Sequence, residues 1–155
     1  MAAEIIIVAL NARYSHCAFA ARSLHANLGA LRSRTAVLEA DTGVTPFQLA
    51  ASLVERRPAV AGFSVYLWNT GLVRETALIL RRVAPGMRIV LGGPEITAAG
   101  APDWRGTADA LVVGEGESAF RSLCAEALAG GRLAAADGAP RLVQGGAEDA
   151  AALEL

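Results

Sequence analysis

Lysine is absent from this 155-residue sequence, and all fourteen basic residues are arginine. That absence removes the lysine of a phosphate-binding P-loop, any Schiff-base lysine and the lysine of receiver-type phosphorelay domains. Cysteine is scarce as well. Cys17 and Cys124 lie too far apart in sequence to form a Cys-x-x-Cys site, so a thiolate metal cluster built from this chain alone is excluded. Both read as small buried hydrophobes, and no metal ligand is assigned. No apolar run reaches bilayer length, although 54% of the residues are hydrophobic. The stretch from Glu4 to Leu10 lacks the charged flank and the length of a secretory signal. A cytoplasmic protein without a membrane partner is expected. The formal net charge is −1 and the arginines form no cluster, so nucleic acid is not an expected partner.

What is present is alternation. Ile5-Ile6-Ile7-Val8-Ala9-Leu10 is a continuous apolar run rich in β-branched residues, the pattern of a strand buried on both faces of a parallel sheet. A helix is expected from Ala18 to Leu31, with Ala21, Leu24, Leu28 and Leu31 at helical spacing. A second strand is expected from Arg34 to Ala40. Thr45-Pro46-Phe47-Gln48 then offers an N-cap, a proline at the first helical position and a capping-box glutamine, and Pro58 stops the helix. Further strands are expected at 59–65, 88–91 and 108–113, with helices from Thr70 to Ala84 and after Glu117. This predicts a doubly wound α/β domain with a five-stranded parallel sheet in the flavodoxin-like order 2-1-3-4-5. Residues 1–132 are expected to form it. Residues 133–155, Ala-, Gly- and acid-rich, read as a linker or partly disordered tail, with Pro140-Arg141-Leu142-Val143 the only further strand-forming run.

In such sheets ligands bind beyond the carboxyl ends of the strands, where strand order reverses. The loops after the first and third strands flank that point. They are Asn11-Ala12-Arg13-Tyr14-Ser15-His16 and Tyr66-Leu67-Trp68-Asn69, and they hold both tyrosines of a chain with only 5% aromatic residues. The loops after the fourth and fifth strands, Gly92-Gly93-Pro94-Glu95 and Gly114-Glu115-Gly116-Glu117, let backbone approach a ligand closely. Familiar occupants are excluded by their signatures. The first loop has no glycine for a dinucleotide and few hydroxyls for a flavodoxin-type phosphate loop, and Ser64 stands where phosphorelay needs Asp. Gly62-Phe63-Ser64-Val65-Tyr66 lacks the second glycine of a nucleophile elbow. No catalytic residue is assigned, and Glu115 and Glu117 are read as complementing a helix dipole.

Taken in order, these four loop motifs resemble the cobalamin-binding domain that precedes the catalytic domain in cobalamin-dependent radical S-adenosylmethionine enzymes. The similarity spans roughly residues 4 to 130. The wider family carries Asp-x-His-x-x-Gly, Ser-x-Leu and Gly-Gly after the first, third and fourth strands; Ser64-Val65-Tyr66 and Gly92-Gly93 match the last two. Aligning the histidine with His16 puts Tyr14 in place of Asp and Phe19 in place of Gly. The resemblance therefore implies a Rossmann-like domain that holds cobalamin base-off, without a protein histidine on cobalt.

On that resemblance, Tyr66, Leu67 and Trp68 form a floor for the corrin, and the two glycine loops a slot for the nucleotide tail. Ser64 and Asn69 are hydrogen-bond partners, Arg13 is either an anchor for an anionic group or a surface ion-pair residue, and Asn11, Tyr14, Ser15, His16, Val65 and Glu95 complete the neighbourhood. It also implies a C-terminal radical S-adenosylmethionine domain, possessing S-adenosylmethionine and a [4Fe-4S] cluster that two cysteines cannot hold here, and either a methyl-transfer reaction or another radical reaction. The alternative is a non-catalytic flavodoxin-like module with a smaller nucleotide or no ligand.

Overall fold

The computed structural model describes residues 2–12 and 18–146. In chain order they form β1 (Ile5–Asn11), α1 (Phe19–Ala26), a 3-10 turn (Gly29–Arg34), β2 (Thr35–Asp41), α2 (Pro46–Arg56), β3 (Val60–Ser64) and α3 (Thr70–Val83). There follow β4 (Arg88–Gly92), a second 3-10 turn (Ala101–Trp104), β5 (Ala110–Val113), α4 (Glu117–Leu128) and β6 (Arg141–Gln144). The strands make one parallel sheet in the order β2-β1-β3-β4-β5-β6.

The continuous apolar run of β1 supplies two cores at once, because successive side chains of a strand point to opposite faces. Ile6, Val8 and Leu10 join Leu49 and Leu53 of α2 and Val73, Ala77 and Leu80 of α3. Ile5, Ile7 and Ala9 join Ala21 of α1 and Phe120, Leu123 and Cys124 of α4. Helices α2 and α3 thus cover one face, and α1 and α4 the other. Thr45 caps α2 through the Gln48 amide and Gln48 returns a bond to the Thr45 backbone, the capping box read from the sequence. Helix α1 is shorter than expected. Asn27 donates its side-chain N–H to the Ser23 carbonyl, and Gly29 adopts φ +57°, turning the chain into the 3-10 segment.

The expected strand count is corrected from five to six. Arg141–Gln144, within the stretch read as linker, pairs parallel with β5 from Ala110↔Arg141 to Val113↔Gln144. Arg141 forks onto Glu126 of α4 at 2.7 and 2.9 Å and also donates to the Arg132 carbonyl. Its guanidinium holds the Glu126 carboxyl below the usual carboxylate range. Leu133, fully buried, fastens the connection. Sequence reading also passed over the 3-10 turn that buries Trp104, on whose ring the Arg74 guanidinium rests at 4.6 Å.

Cys124 is completely buried, and its burial pushes the thiol up to about 12. The thiolate, which is the reactive form, is therefore absent at ordinary pH. Iodoacetamide in mildly alkaline buffer should leave Cys124 unmodified in the folded protein and label it after denaturation, as read by peptide mapping. No helix among the described residues is long and apolar enough to cross a membrane.

Candidate functional site

The register of the sheet makes a cavity. On the face covered by α1 and α4, Ile7, Gly62, Val90 and Ala110 stand side by side across β1, β3, β4 and β5, and Ser64 stands beside Gly92 one layer higher. The central strands thus present no side chain at Gly62 and Gly92, between the apolar side chains of Ile7, Val90 and Val112. The result is a cavity of about 610 Å³ between β3, β4 and β5 below and the two helices above. The Phe120 ring turns its Cε2–Cζ edge onto Gly62, where a β-carbon would sit 2.7 Å from Cε2 and 2.8 Å from Cζ. Only glycine there lets the ring lie against the sheet and keep the space open. The cavity lies over β3 to β5. The sequence reading flanked the crevice with the loops after β1 and β3 and lined it with the glycine loops after β4 and β5; residues 13–17 of the first loop lie outside the described residues, and the small residues that leave room are on β3 and β4.

The two neighbouring glycines after β4 do different things. At Gly92 a β-carbon would meet nothing nearer than 3.8 Å, so glycine leaves open space there. Gly93 has φ +102°, and a β-carbon would fall 2.6 Å from both the nitrogen and the oxygen of Val65. Those backbone atoms are held by Val65 N–H to the Gly92 carbonyl (2.7 Å) and Glu95 N–H to the Val65 carbonyl (3.2 Å). Gly93 therefore serves the junction of two loops.

The mouth of the cavity is edged by Tyr66, Pro94, Gly114, Glu115, Gly116 and Glu117. Gly116 is the N-cap of α4 and no side chain caps that helix, so its first-turn N–H groups face the mouth without side-chain acceptors. The Glu117 carboxylate accepts from the Ser23 hydroxyl at 2.9 Å, bridging α4 to α1 across the opening. Gly145, which sequence reading did not single out, passes so close to Glu115 that a β-carbon would sit 1.8 Å from its carbonyl oxygen.

Next to the mouth, the loop after β3 forms an aromatic rim. The rings of Tyr66 and Trp68 stack at 5.0 Å and 7°, with Trp68 48% and Leu67 80% exposed. Asn69 shapes this loop. Buried, it accepts from the Tyr66 N–H at 2.8 Å and donates to the Ser64 carbonyl at 3.0 Å. Its amide is engaged within the loop, and Asn69 does not line the cavity.

Of the residues named from the sequence, Ser64, Tyr66, Gly92, Gly93, Pro94, Gly114, Glu115 and Gly116 line the one cavity. Val65 does not: its side chain is in the core beneath α2 and α3, and only its backbone borders the site. Asn11 ends β1 and Glu95 is exposed, and neither lines the cavity. Arg13, Tyr14, Ser15 and His16 lie outside the described residues. Among the described residues no group of three or more His, Cys, Asp or Glu side chains is placed to hold a metal ion.

A parallel α/β sheet with a glycine-cleared cavity at its carboxyl edge and an aromatic rim beside it defines a ligand-binding domain of the Rossmann-like class. Residues 5–124 match the family model described as the B12 binding domain, and the chain belongs to that family. It is 37% identical over 89 residues to the 2-(S-pantetheinyl)-carbapenam-3-carboxylate methyltransferase of Streptantibioticus cattleyicolor. That match covers 53% of this chain and 12% of the methyltransferase, so the chain corresponds to a small part of that protein's length. Among solved structures, a cobalamin-binding protein from Desulfitobacterium hafniense superposes with a TM-score of 0.60 at 16% identity. It covers 81% of this chain and 58% of that one, a likeness of fold.

Proposed function

We propose that this domain holds cobalamin with its nucleotide tail in the cavity and its corrin against the Tyr66–Trp68 rim, base-off and without a protein histidine on cobalt. The observation that carries this reading is the shape of the site. A cavity of about 610 Å³ suits a small aromatic group with its ribose phosphate and not a corrin macrocycle. The first-turn N–H groups of α4, which have no side-chain cap, would receive the tail phosphodiester. Ser64 at the neck offers a hydroxyl to the ribose, and the stacked Tyr66 and Trp68 shield one face of the macrocycle from water. Bound cobalamin supplies a cobalt centre able to carry a methyl group. The four loop motifs and the methyltransferase relative support placing this domain in a radical S-adenosylmethionine enzyme, a methyltransferase. S-adenosylmethionine and a [4Fe-4S] cluster would then belong to a separate catalytic domain, since two cysteines do not make the three-cysteine set such a cluster needs.

Hydroxocobalamin should be retained through desalting with a changed visible spectrum. Loss of all colour on desalting would leave the smaller-nucleotide alternative standing. The EPR spectrum of bound cob(II)alamin should lack nitrogen splitting, and His16→Ala should not alter it; splitting that vanishes in that variant would put His16 on cobalt. Gly116→Asp tests the phosphate site. A β-carbon at Gly116 would make ordinary contacts of 3.6 and 3.7 Å with Val112 and Leu24, and φ is −106°. The new carboxylate caps α4 from its own N-cap position and competes for the phosphodiester donors. Thermal stability should hold or rise, while retention should weaken by about tenfold or more, the scale of a lost charge-assisted hydrogen bond.

A further inference from the structure

The deep end and the mouth of the cavity differ in chemistry. At depth the wall is Ile7, Leu24, Val90, Val112 and Phe120, with Gly62 beneath the Phe120 ring. None of these offers a side-chain donor or acceptor, and the β1, β3 and β4 backbone there is paired within the sheet. The polar side chains, Ser64, Tyr66, Glu115 and Glu117, are all toward the strand ends, and Glu117 is already engaged by Ser23.

From this polarity gradient we infer that the domain selects among corrinoids by the lower base, admitting benzimidazole and rejecting adenine. The inference rests on the tail lying in the cavity. A benzimidazole released from cobalt buries a single bare ring nitrogen on an otherwise apolar bicycle. An adenine of similar outline buries several ring nitrogens and an exocyclic amine, none with a partner at depth. Unpaired buried polar groups of this kind together weaken binding by about tenfold. Val112 and Val90 are therefore specificity-determining positions: both are buried in the wall, and threonine matches their shape while adding a hydroxyl.

The test compares cobalamin, the adenine-containing corrinoid of otherwise identical structure, and tail-less cobinamide on the full chain by equilibrium dialysis. Wild type should hold cobalamin about tenfold more tightly than the adenine analogue, and cobinamide least well. Val112→Thr should shrink the cobalamin-to-adenine ratio about fivefold, the scale of one supplied hydrogen bond. Comparing ratios between proteins cancels each base's own affinity for cobalt. Val90→Thr serves as the second variant should Val112→Thr fail to fold. Equal affinity for the two tailed corrinoids, with cobinamide much weaker and the ratio unmoved by either threonine, overturns base selection and leaves the tail site intact. Cobinamide bound as tightly as cobalamin overturns the tail site itself and base selection with it.

Discussion

Gly92→Leu is expected to abolish cobalamin retention while leaving the domain folded. The backbone at Gly92 admits a side chain, since the nearest atoms to an added β-carbon are the Val112 oxygen at 3.8 Å and the Val112 β-carbon at 3.9 Å. Strand alternation sends that side chain the same way as Val90, into the cavity beside Ser64. Leucine there fills the neck through which a nucleotide tail must pass, and a β-strand tolerates it better than glycine. Affinity should fall on the order of a hundredfold, the upper range for forcing extra methylenes into a packed site. The far-ultraviolet circular dichroism and melting temperature should stay close to wild type. Undiminished retention in a folded Gly92→Leu protein would mean the tail lies elsewhere.

The adjacent substitution should do the reverse. Gly93→Ala places a β-carbon 2.6 Å from two backbone atoms of Val65 at φ +102°, a conformation that L-residues rarely adopt. Neither obstacle is the end of a flexible side chain, so relief requires moving the loops after β3 and β4 apart. The cost should be about 3 kcal/mol, from left-handed strain plus overpacking. For a domain of this size that lowers the melting temperature by roughly 10 °C. Binding should weaken only as far as the loops lose their shape. A Gly93→Ala protein with unchanged melting temperature would show that these loops do not meet through Gly93 as described.

The contrast between these two glycines explains what was legible in the sequence. Their presence after an apolar strand was plain, but which one clears space and which one joins loops depends on the Val65 backbone, twenty-eight residues away in sequence from Gly93. The helices and strands around β1 could be read because periodicity and capping are local: the Thr45–Gln48 box and the apolar stripe of α3 carry their own signals. Arg141–Gln144 carried too little. It is four residues long with alternating exposure, and what fixes it is the fork from Arg141 to Glu126 and the pairing with β5. What clears the floor of the cavity was hidden for a similar reason. It follows from register, which sets Gly62 beside Val90 and Ser64 beside Gly92, and no single strand reveals its neighbour. Asn69 illustrates the limit for side chains: a polar residue in a binding loop invites a ligand role, and the sequence does not show that its buried amide ties the Tyr66 N–H to the Ser64 carbonyl.

Amide chemical shifts of ¹⁵N-labelled protein, recorded before and after adding hydroxocobalamin, locate the cofactor without any substitution. The largest changes should fall at Gly62, Ser64, Gly92 and Gly114 to Phe120, with α2 and the far end of the sheet around Asp109 unmoved. Changes centred on the face beneath α2 and α3, with Gly62 and Gly92 undisturbed, would contradict the account.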